Sequence, residues 1–127
     1  MAVFNVCKNK GGGEFQIRYR FGPPIGRLHL VIGGKCKEDE REIETFRIFK
    51  AQNLGRGYGR KLLEYAEAQC KRNGISKLYV HPHPEPTDDG FVLSLEEVTE
   101  RYLGLGFRKD CDNYIVGSSI PLYCCDL

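Results

Sequence analysis

The spacing of apolar residues changes near the middle of the chain, and this change limits the folds that the chain can adopt. In the first half, Phe15, Ile17 and Tyr19 alternate with polar residues, which is the period of a strand with one buried face. In residues 62–70 the apolar side chains instead recur at helical spacing. A chain that passes from strands to a helix in this way is expected to form a mixed α+β domain.

The order of the elements can be inferred from the turn residues between them. Short turns separate the first strands and favour an antiparallel meander, with Val3 and Val6 as candidates for a further edge strand. A strand, helix and strand then form a right-handed parallel βαβ unit. Ser94 and Glu97 have capping-box spacing and predict the start of a second helix. The predicted strands cover residues 15–21, 28–32, 43–49 and 78–80, followed by a closing hairpin of residues 107–109 and 114–116.

Composition indicates an ordinary globular domain. The 127 residues fit a single domain spanning 1–127, and the net charge of +2 is too small to suggest a nucleic-acid partner. No apolar run reaches the length of a membrane span, and the start of the chain lacks the features of a signal peptide. The six cysteines show no C-x-x-C spacing, so we interpret them as thiols of a cytoplasmic protein without a structural metal.

A glycine-rich turn before the first helix is the strongest functional signal. Gly55, Gly57 and Gly59 alternate at the point where a strand gives way to the helix. Glycine allows tight turns and close approach of a ligand, and a helix start presents unpaired N–H groups, so the turn could hold a phosphate. A turn without a ligand is the alternative. The dinucleotide and nucleoside-triphosphate motifs are excluded, because neither the third spaced glycine nor Gly-Lys-Ser/Thr occurs.

Residues 49–59, Phe-Lys-Ala-Gln-Asn-Leu-Gly-Arg-Gly-Tyr-Gly, resemble the acetyl-CoA motif of the GNAT N-acetyltransferase superfamily. A second stretch, residues 102–107, is similar to the Tyr-x-x-x-Gly-Phe motif of that family. The compact plan is also similar to small acetyltransferases of phages and mobile elements, some of which modify a host defence protein. The resemblance implies acetyl-CoA as cosubstrate and a primary amine, on a small molecule or a protein lysine, as acceptor.

The resemblance also implies positions for the cofactor. The end of the strand before the motif, Ile48 and Phe49, would pair with the pantetheine arm, and an N–H near Phe49 would bind the developing oxyanion. Leu54 stands where the family usually has Gln or Arg, which backbone binding should tolerate. The backbone groups implied in holding the pyrophosphate are those of Leu54, Gly55, Arg56, Gly57, Tyr58, Gly59 and Arg60.

Two side chains are candidates for proton transfer. Tyr102 would act as general acid toward the departing thiolate, because tyrosine is protonated at neutral pH; a core tyrosine is the alternative. Glu44, which shares strand parity with Glu42, would act as base, and a solvated strand edge is the alternative. His83 and Glu85 belong to an acidic loop that shows no recognised metal spacing, so no metal is expected.

Other functions remain compatible with the sequence. The chain could be a catalytically silent CoA-binding module that acts through a protein partner, which would share the fold and lack turnover. A nucleic-acid-binding domain would use Arg56 and Arg60 with stacking tyrosines, and the low net charge argues against it. The protein is expected to be a monomer or a homodimer, and residues 119–125 are predicted to form an edge strand that could pair between subunits.

Overall fold

A computed structural model of the protein describes residues 2–3, 13–34, 36–109 and 121–127. Within these residues, one mixed sheet of seven strands is combined with two α-helices, in the strand order β1-β2-β3-β4-β5-β7-β6. The strands are β1 (Ala2–Val3), β2 (Glu14–Tyr19), β3 (Pro24–Val31), β4 (Glu40–Ile48), β5 (Lys77–Val80), β6 (Arg108–Lys109) and β7 (Tyr123–Asp126). The helices are α1 (Tyr58–Arg72) and α2 (Leu95–Gly104), and a short 3₁₀ turn covers Ala51–Asn53. The predicted α+β class is confirmed.

Strands β1 to β4 form the predicted antiparallel meander. Phe15 lies opposite Leu28, and Leu28 lies opposite Phe46 on the next strand. Alternate residues of β2 and β3 are buried, as their period of two predicts. The apolar face of α1 packs on this side of the sheet and contributes the fully buried Leu62 and Leu63 to the core. The edge strand predicted at Val3 is present as β1, while Val6 lies outside the described residues.

A cleft begins where β4 and β5 part. The two strands pair in parallel from Glu40 and Lys77 to Ile43 and Val80. Strand β4 then continues to Ile48, while β5 ends at Val80. The last residues of β4 therefore keep β3 on one side and lose a strand partner on the other. Ligands of α/β sheets bind at such carboxyl ends of strands, so this divergence marks the region for a site.

A β-bulge at Glu44 interrupts the alternation of β4. Leu30 lies opposite Ile43 and His29 lies opposite Thr45, so Glu44 is the extra residue of its strand. The prediction that Glu42 and Glu44 lie on one face assumed an unbroken period of two, and the bulge removes that basis. Beyond the bulge, Phe46 packs against the same core as Ile43, three positions earlier. The bulge thus turns the end of β4 toward α1.

The C-terminal elements differ in part from the prediction. The Ser94–Glu97 capping box is present, with hydrogen bonds in both directions between the two residues. Strand β7 pairs with β5 on one side and with β6 on the other. The prediction of an edge strand in residues 119–125 is therefore wrong for Tyr123 onward, because both sides of β7 are used within the chain. Of the predicted hairpin, residues 114–116 lie outside the described part.

Neither helix of the described residues combines the length and the apolar character that crossing a bilayer requires. In the same part of the chain, the cysteines Cys36, Cys70, Cys124 and Cys125 carry thiols. Burial raises the pKa of Cys36 and of Cys125 above the ordinary thiol value, and nearby carboxylates act in the same direction. Such thiols are poor nucleophiles at neutral pH, and neither residue lines the cleft.

Candidate active site

The start of α1 is open to an anion. Gly55 and Gly57 have φ angles of 74° and 81°, a left-handed conformation that favours glycine. Gly57 is the N-cap of α1, no side chain caps this end, and its first turn contains no acidic residue. The first N–H groups of the helix and its positive dipole end are therefore not neutralised by a side chain of the helix start. This geometry suits a phosphate group, as the glycine spacing predicted.

One cavity of about 370 Å³ joins this helix start to the cleft beside β4. Its walls come from the end of β4, the glycine-rich turn, α2 and the loop of residues 81–94. The volume lies within the range of small-molecule sites. Eight of the residues predicted to function line it: Ile48, Leu54, Gly55, Gly57, Tyr58, Gly59, Arg60 and Tyr102. The structure therefore brings the predicted cofactor turn and the predicted acid to one space.

Tyr102 lies on α2 and is buried at the wall of this cavity. Its ring makes edge-to-face contacts with Phe46, at 6.1 Å between centroids, and with Phe107, at 5.4 Å. Burial raises the pKa of the Tyr102 hydroxyl far above its ordinary value, and the negative charge of Glu85 raises it further. The hydroxyl is therefore a proton donor, and not a phenolate, at neutral pH.

Glu85 is a site residue that sequence reasoning considered only as a metal ligand. Its Oε2 accepts a hydrogen bond of 3.0 Å from the backbone N–H of Phe46, 39 residues earlier. Its Oε1 lies 3.6 Å from Nε2 of His83, and both side chains line the cavity. The carboxylate is largely buried, with 21% of its side chain exposed. No local sequence pattern predicts this contact, because it depends on how the loop folds back onto β4.

Acidic residues hold the loop after β5 in place. Asp88 makes an ion pair of 2.6 Å with Arg47, and its backbone N–H donates to the carbonyl of Phe49 at 2.7 Å. Oδ1 of Asp89 accepts a bond of 3.1 Å from the N–H of Ala51, and hydrogen bonds from Thr87 and Ala51 lower the pKa of Asp89. The loop is thus fastened to the end of β4 and forms a fixed wall of the cavity.

Three predicted site residues have groups that lie outside the cavity. The Glu44 side chain is mostly exposed, stands 3.5 Å from Nδ1 of His29, and does not line the cavity. The N–H of Phe49 donates to the carbonyl of Ile25 at 2.8 Å, so this amide points to β3 and away from the cleft. The side chain of Arg56 donates to the carbonyl of Gln52 outside the cavity lining, while its backbone, the predicted group, lies between the lining residues Gly55 and Gly57. The structure therefore does not bring the Glu44 side chain or the Phe49 amide to the site.

Arg60 connects the two helices that frame the cavity. Its guanidinium donates a hydrogen bond of 2.9 Å to the carbonyl of Gly104, in the last turn of α2. Cations are favourable at this end of a helix, because its carbonyl groups carry partial negative charge. Arg60 therefore lines the cavity and also fixes the end of the helix that carries Tyr102.

Residues 5–89 match the sequence profile described as the Acetyltransferase (GNAT) family. This range includes the glycine-rich turn and Glu85, while α2 with Tyr102 lies beyond it. Among curated protein sequences, none matches the chain at a significant level.

Solved structures support the fold. A putative N-acetyltransferase from Lactobacillus plantarum superposes with a TM-score of 0.63 at 16% identity, over 90% of this chain and 68% of its own. The PaiA N-acetyltransferase from Thermoplasma acidophilum, solved with coenzyme A, gives a TM-score of 0.63 at 16% identity, over 91% and 62%. The anti-CRISPR protein AcrVA5 gives 0.60 at 19% identity, over 88% and 97%. The profile match covers more than half of the chain, which therefore belongs to the GNAT family of acyl-CoA N-acyltransferases, whose members use acetyl-CoA as cosubstrate.

Proposed function

We propose that the protein, a single N-acyltransferase domain over residues 1–127, transfers an acetyl group from acetyl-CoA to a primary amine by direct attack. One observation carries this proposal: the open start of α1 and the buried hydroxyl of Tyr102 line the same cavity. A turn that served only the fold would need no proton donor beside it. A core tyrosine that served only packing would not border the space next to an uncapped helix start.

The residues of the turn fit the pyrophosphate of CoA. Its negative charge meets the N–H groups at the start of α1, from about Leu54 to Arg60, without a competing carboxylate in the first turn. Gly59 has room for a Cβ, whose nearest atoms, on the Phe46 ring, would lie at 3.6 Å. Leu54 in place of Gln or Arg is acceptable here because backbone groups do the binding. Phe46, Arg47 and Ile48 are the residues of the β4 end that line the cavity, and Phe46 and Ile48 would face the pantetheine arm.

Tyr102 acts as the proton donor to the sulfur that leaves when the amine attacks. A thiol has an ordinary pKa of about 8.5, so the leaving thiolate is stabilised by a neighbouring hydroxyl that stays protonated. Burial keeps Tyr102 in this form across the neutral range. The bound acetyl-CoA supplies the activated acyl carbon, and Tyr102 supplies the hydrogen bond at the atom where negative charge develops.

The acceptor is an amine of a small molecule or of a protein lysine, and the place of action is the cytoplasm. An acceptor amine arrives as an ammonium ion at neutral pH, and the carboxylate of Glu85 in the cavity suits this charge. Only a short turn, and no helix, lies between β2 and β3. The absence of a helix there supports access to the cavity by an amine on a macromolecule. The assembly is a monomer or a homodimer.

The first experiment is calorimetry of the ligand-free protein with acetyl-CoA, CoA and ATP. Micromolar binding of acetyl-CoA, tighter than that of ATP, supports the cofactor site. Turnover is then followed as thiol release with n-butylamine and with a lysine-containing peptide. The Tyr102→Phe variant should bind acetyl-CoA as the unchanged protein does and lose activity about 100-fold or more.

A matched variant tests whether the loss is specific. Tyr123→Phe removes a hydroxyl from another buried tyrosine, on β7 and outside the cavity, and should keep its activity. Binding of acetyl-CoA without turnover of any amine would identify the protein as a silent CoA-binding module. Absence of acetyl-CoA binding would show that the glycine-rich turn serves only the fold.

A further inference from the structure

The amide of Phe46 occupies a special place in the cleft. Beyond Ile43 and Val80, no strand of the described residues pairs with β4 on the side of β5. An N–H that points to this side therefore needs another acceptor, because an unpaired buried amide is costly. In the structure this acceptor is Oε2 of Glu85, at 3.0 Å. The carboxylate thus takes the place that a continuing β5 would have filled.

Among the described residues, no lysine or arginine forms an ion pair with Glu85. The ion-pair partner that these residues provide is His83, at 3.6 Å, whose side chain is about half exposed. The charge also acts on Tyr102, whose proton it helps to retain. A largely buried carboxylate inside a cavity, which in the described part of the chain has one backbone N–H and no lysine or arginine as partner, is suited to receive a cationic ligand.

We propose that Glu85 exchanges partners during the reaction: the acyl carbonyl of acetyl-CoA takes the Phe46 N–H, and the released carboxylate binds the acceptor ammonium and removes its proton. This inference rests on the proposed function and adds the group that prepares the acceptor. A single N–H donates well to one strong acceptor at a time, so the carbonyl and the carboxylate compete for it. Acetyl-CoA therefore binds first, and its binding makes the base available.

The proton and electron balance closes with one proton released to solvent. An N–H bond of the ammonium breaks, and its proton goes to Glu85. The free amine forms the C–N bond at the acyl carbon, the C–S bond breaks, and its electron pair leaves with sulfur. The sulfur receives its proton from Tyr102, and the newly bonded nitrogen loses its second proton to the Tyr102 oxygen. Glu85 then releases its proton to solvent. Protonation of Glu85 also removes the negative charge that holds the Tyr102 proton, so the first transfer facilitates the second.

Binding measurements test the exchange without knowledge of the acceptor. Glu85→Ala removes the competitor for the Phe46 amide, so its affinity for acetyl-CoA should rise about tenfold, since bonds to charged groups are among the stronger ones. Its affinity for CoA, which has no acyl carbonyl, should change by less than about twofold. Glu96→Ala removes one exposed negative charge outside the cavity and controls for the general effect of charge on an anionic ligand.

Glu85→Gln tests the proton transfer and also covers the case in which the alanine variant does not fold. Its amide oxygen can still accept from Phe46, so acetyl-CoA should bind within about threefold of the unchanged protein. Turnover is measured with n-butylamine or the lysine peptide, whichever the unchanged protein acetylates faster. In Glu85→Gln this turnover should fall about 100-fold or more.

The outcomes are distinct. Equal gains of Glu85→Ala for acetyl-CoA and CoA, or no gain for either, would overturn the exchange. Glu85→Gln with nearly full turnover would overturn the role as base. If the unchanged protein binds no acetyl-CoA, the proposed function fails, and Glu85 then serves only to fasten the loop to β4.

Discussion

The alanine variant of Gly57 gives the sharpest test of the anion site at α1. Gly57 has φ 81° and ψ 6° at the N-cap position. A left-handed conformation costs an alanine about 1–2 kcal/mol. A Cβ at this position would meet no atom within 4 Å, so backbone strain is the whole cost to the folded protein. Gly57 is part of the cavity lining, so we expect the added methyl group to occupy space that a bound phosphate would need.

Gly57→Ala should lower the free energy of unfolding by about 1 kcal/mol, since the less flexible unfolded chain offsets part of the strain. In a domain of this size the melting temperature should fall by about 4 °C. Affinity for acetyl-CoA should fall at least about tenfold, or about 1.4 kcal/mol, because the methyl group keeps the pyrophosphate from the N–H groups. Denaturant unfolding and calorimetry measure the two effects separately.

Two other glycines provide matched controls. Gly74 has φ 77° in the turn after α1 and also has open space around a Cβ, but it lies outside the cavity. Gly74→Ala should lose the same stability and keep full affinity for acetyl-CoA. Gly59 is helical, and Gly59→Ala should gain about 0.5–1 kcal/mol of stability. A Cβ at Gly59 would meet the Phe46 ring at 3.6 Å, an ordinary contact, so Gly59→Ala should bind acetyl-CoA within about threefold of the unchanged protein.

One result would refute the reasoning about the turn. If Gly57→Ala loses the stability expected from strain and still binds acetyl-CoA as the unchanged protein does, no phosphate approaches this turn. An equal loss of affinity in Gly74→Ala would instead show that acetyl-CoA affinity follows the overall stability of the fold and gives no information about the turn at Gly57.

Three further predictions concern stability. Leu62→Ala removes a fully buried side chain of α1 and should cost about 2–5 kcal/mol, read from the denaturant midpoint; a loss below about 1 kcal/mol would contradict the packing. Ser94→Ala removes the cap of α2 and should cost about 1 kcal/mol, whereas a neutral effect would argue against the capping box. Burial raises the pKa of the Glu67 carboxyl in the folded protein, so its negative charge opposes folding at pH values above that raised pKa. Well below the ordinary carboxyl pKa, the group is protonated in both the folded and the unfolded state and has no such effect. Glu67→Gln should therefore be more stable than the unchanged protein near neutral pH and equal to it at about pH 3, and a gain at both would refute this sign.

The elements of the fold could be predicted because their signals are local. The period of two located β2 and β3, and the helical spacing of apolar residues in 62–70 located α1. Ser94 and Glu97 located the start of α2, because their hydrogen bonds lie within one turn. The edge strand predicted in residues 119–125 was wrong for β7, since the sequence does not show which of the short C-terminal strands will lie beside β5.

The candidate site, like the fold, depends partly on contacts between neighbouring residues and partly on contacts between residues far apart in the sequence. The turn with Gly55 and Gly57 follows from the sequence alone, because positive φ angles and the start of a helix depend on neighbouring residues. Glu44 remains a predicted base without support from its position, because a bulge places it on the exposed side of β4 beside His29. Strict alternation could not reveal an extra residue that arises from pairing with another strand.

The sequence by itself determined that this protein is an α+β domain with a glycine-rich turn ahead of its first long helix, and with a tyrosine on its second. Only the tertiary structure decided which carboxylate shares the cavity with Tyr102. Glu85 reaches Phe46 because Asp88 and Asp89 fasten its loop to the end of β4, where β5 has stopped. These contacts join residues about 40 positions apart, and their energy depends on chain reversal and burial, which no local pattern of residue types specifies.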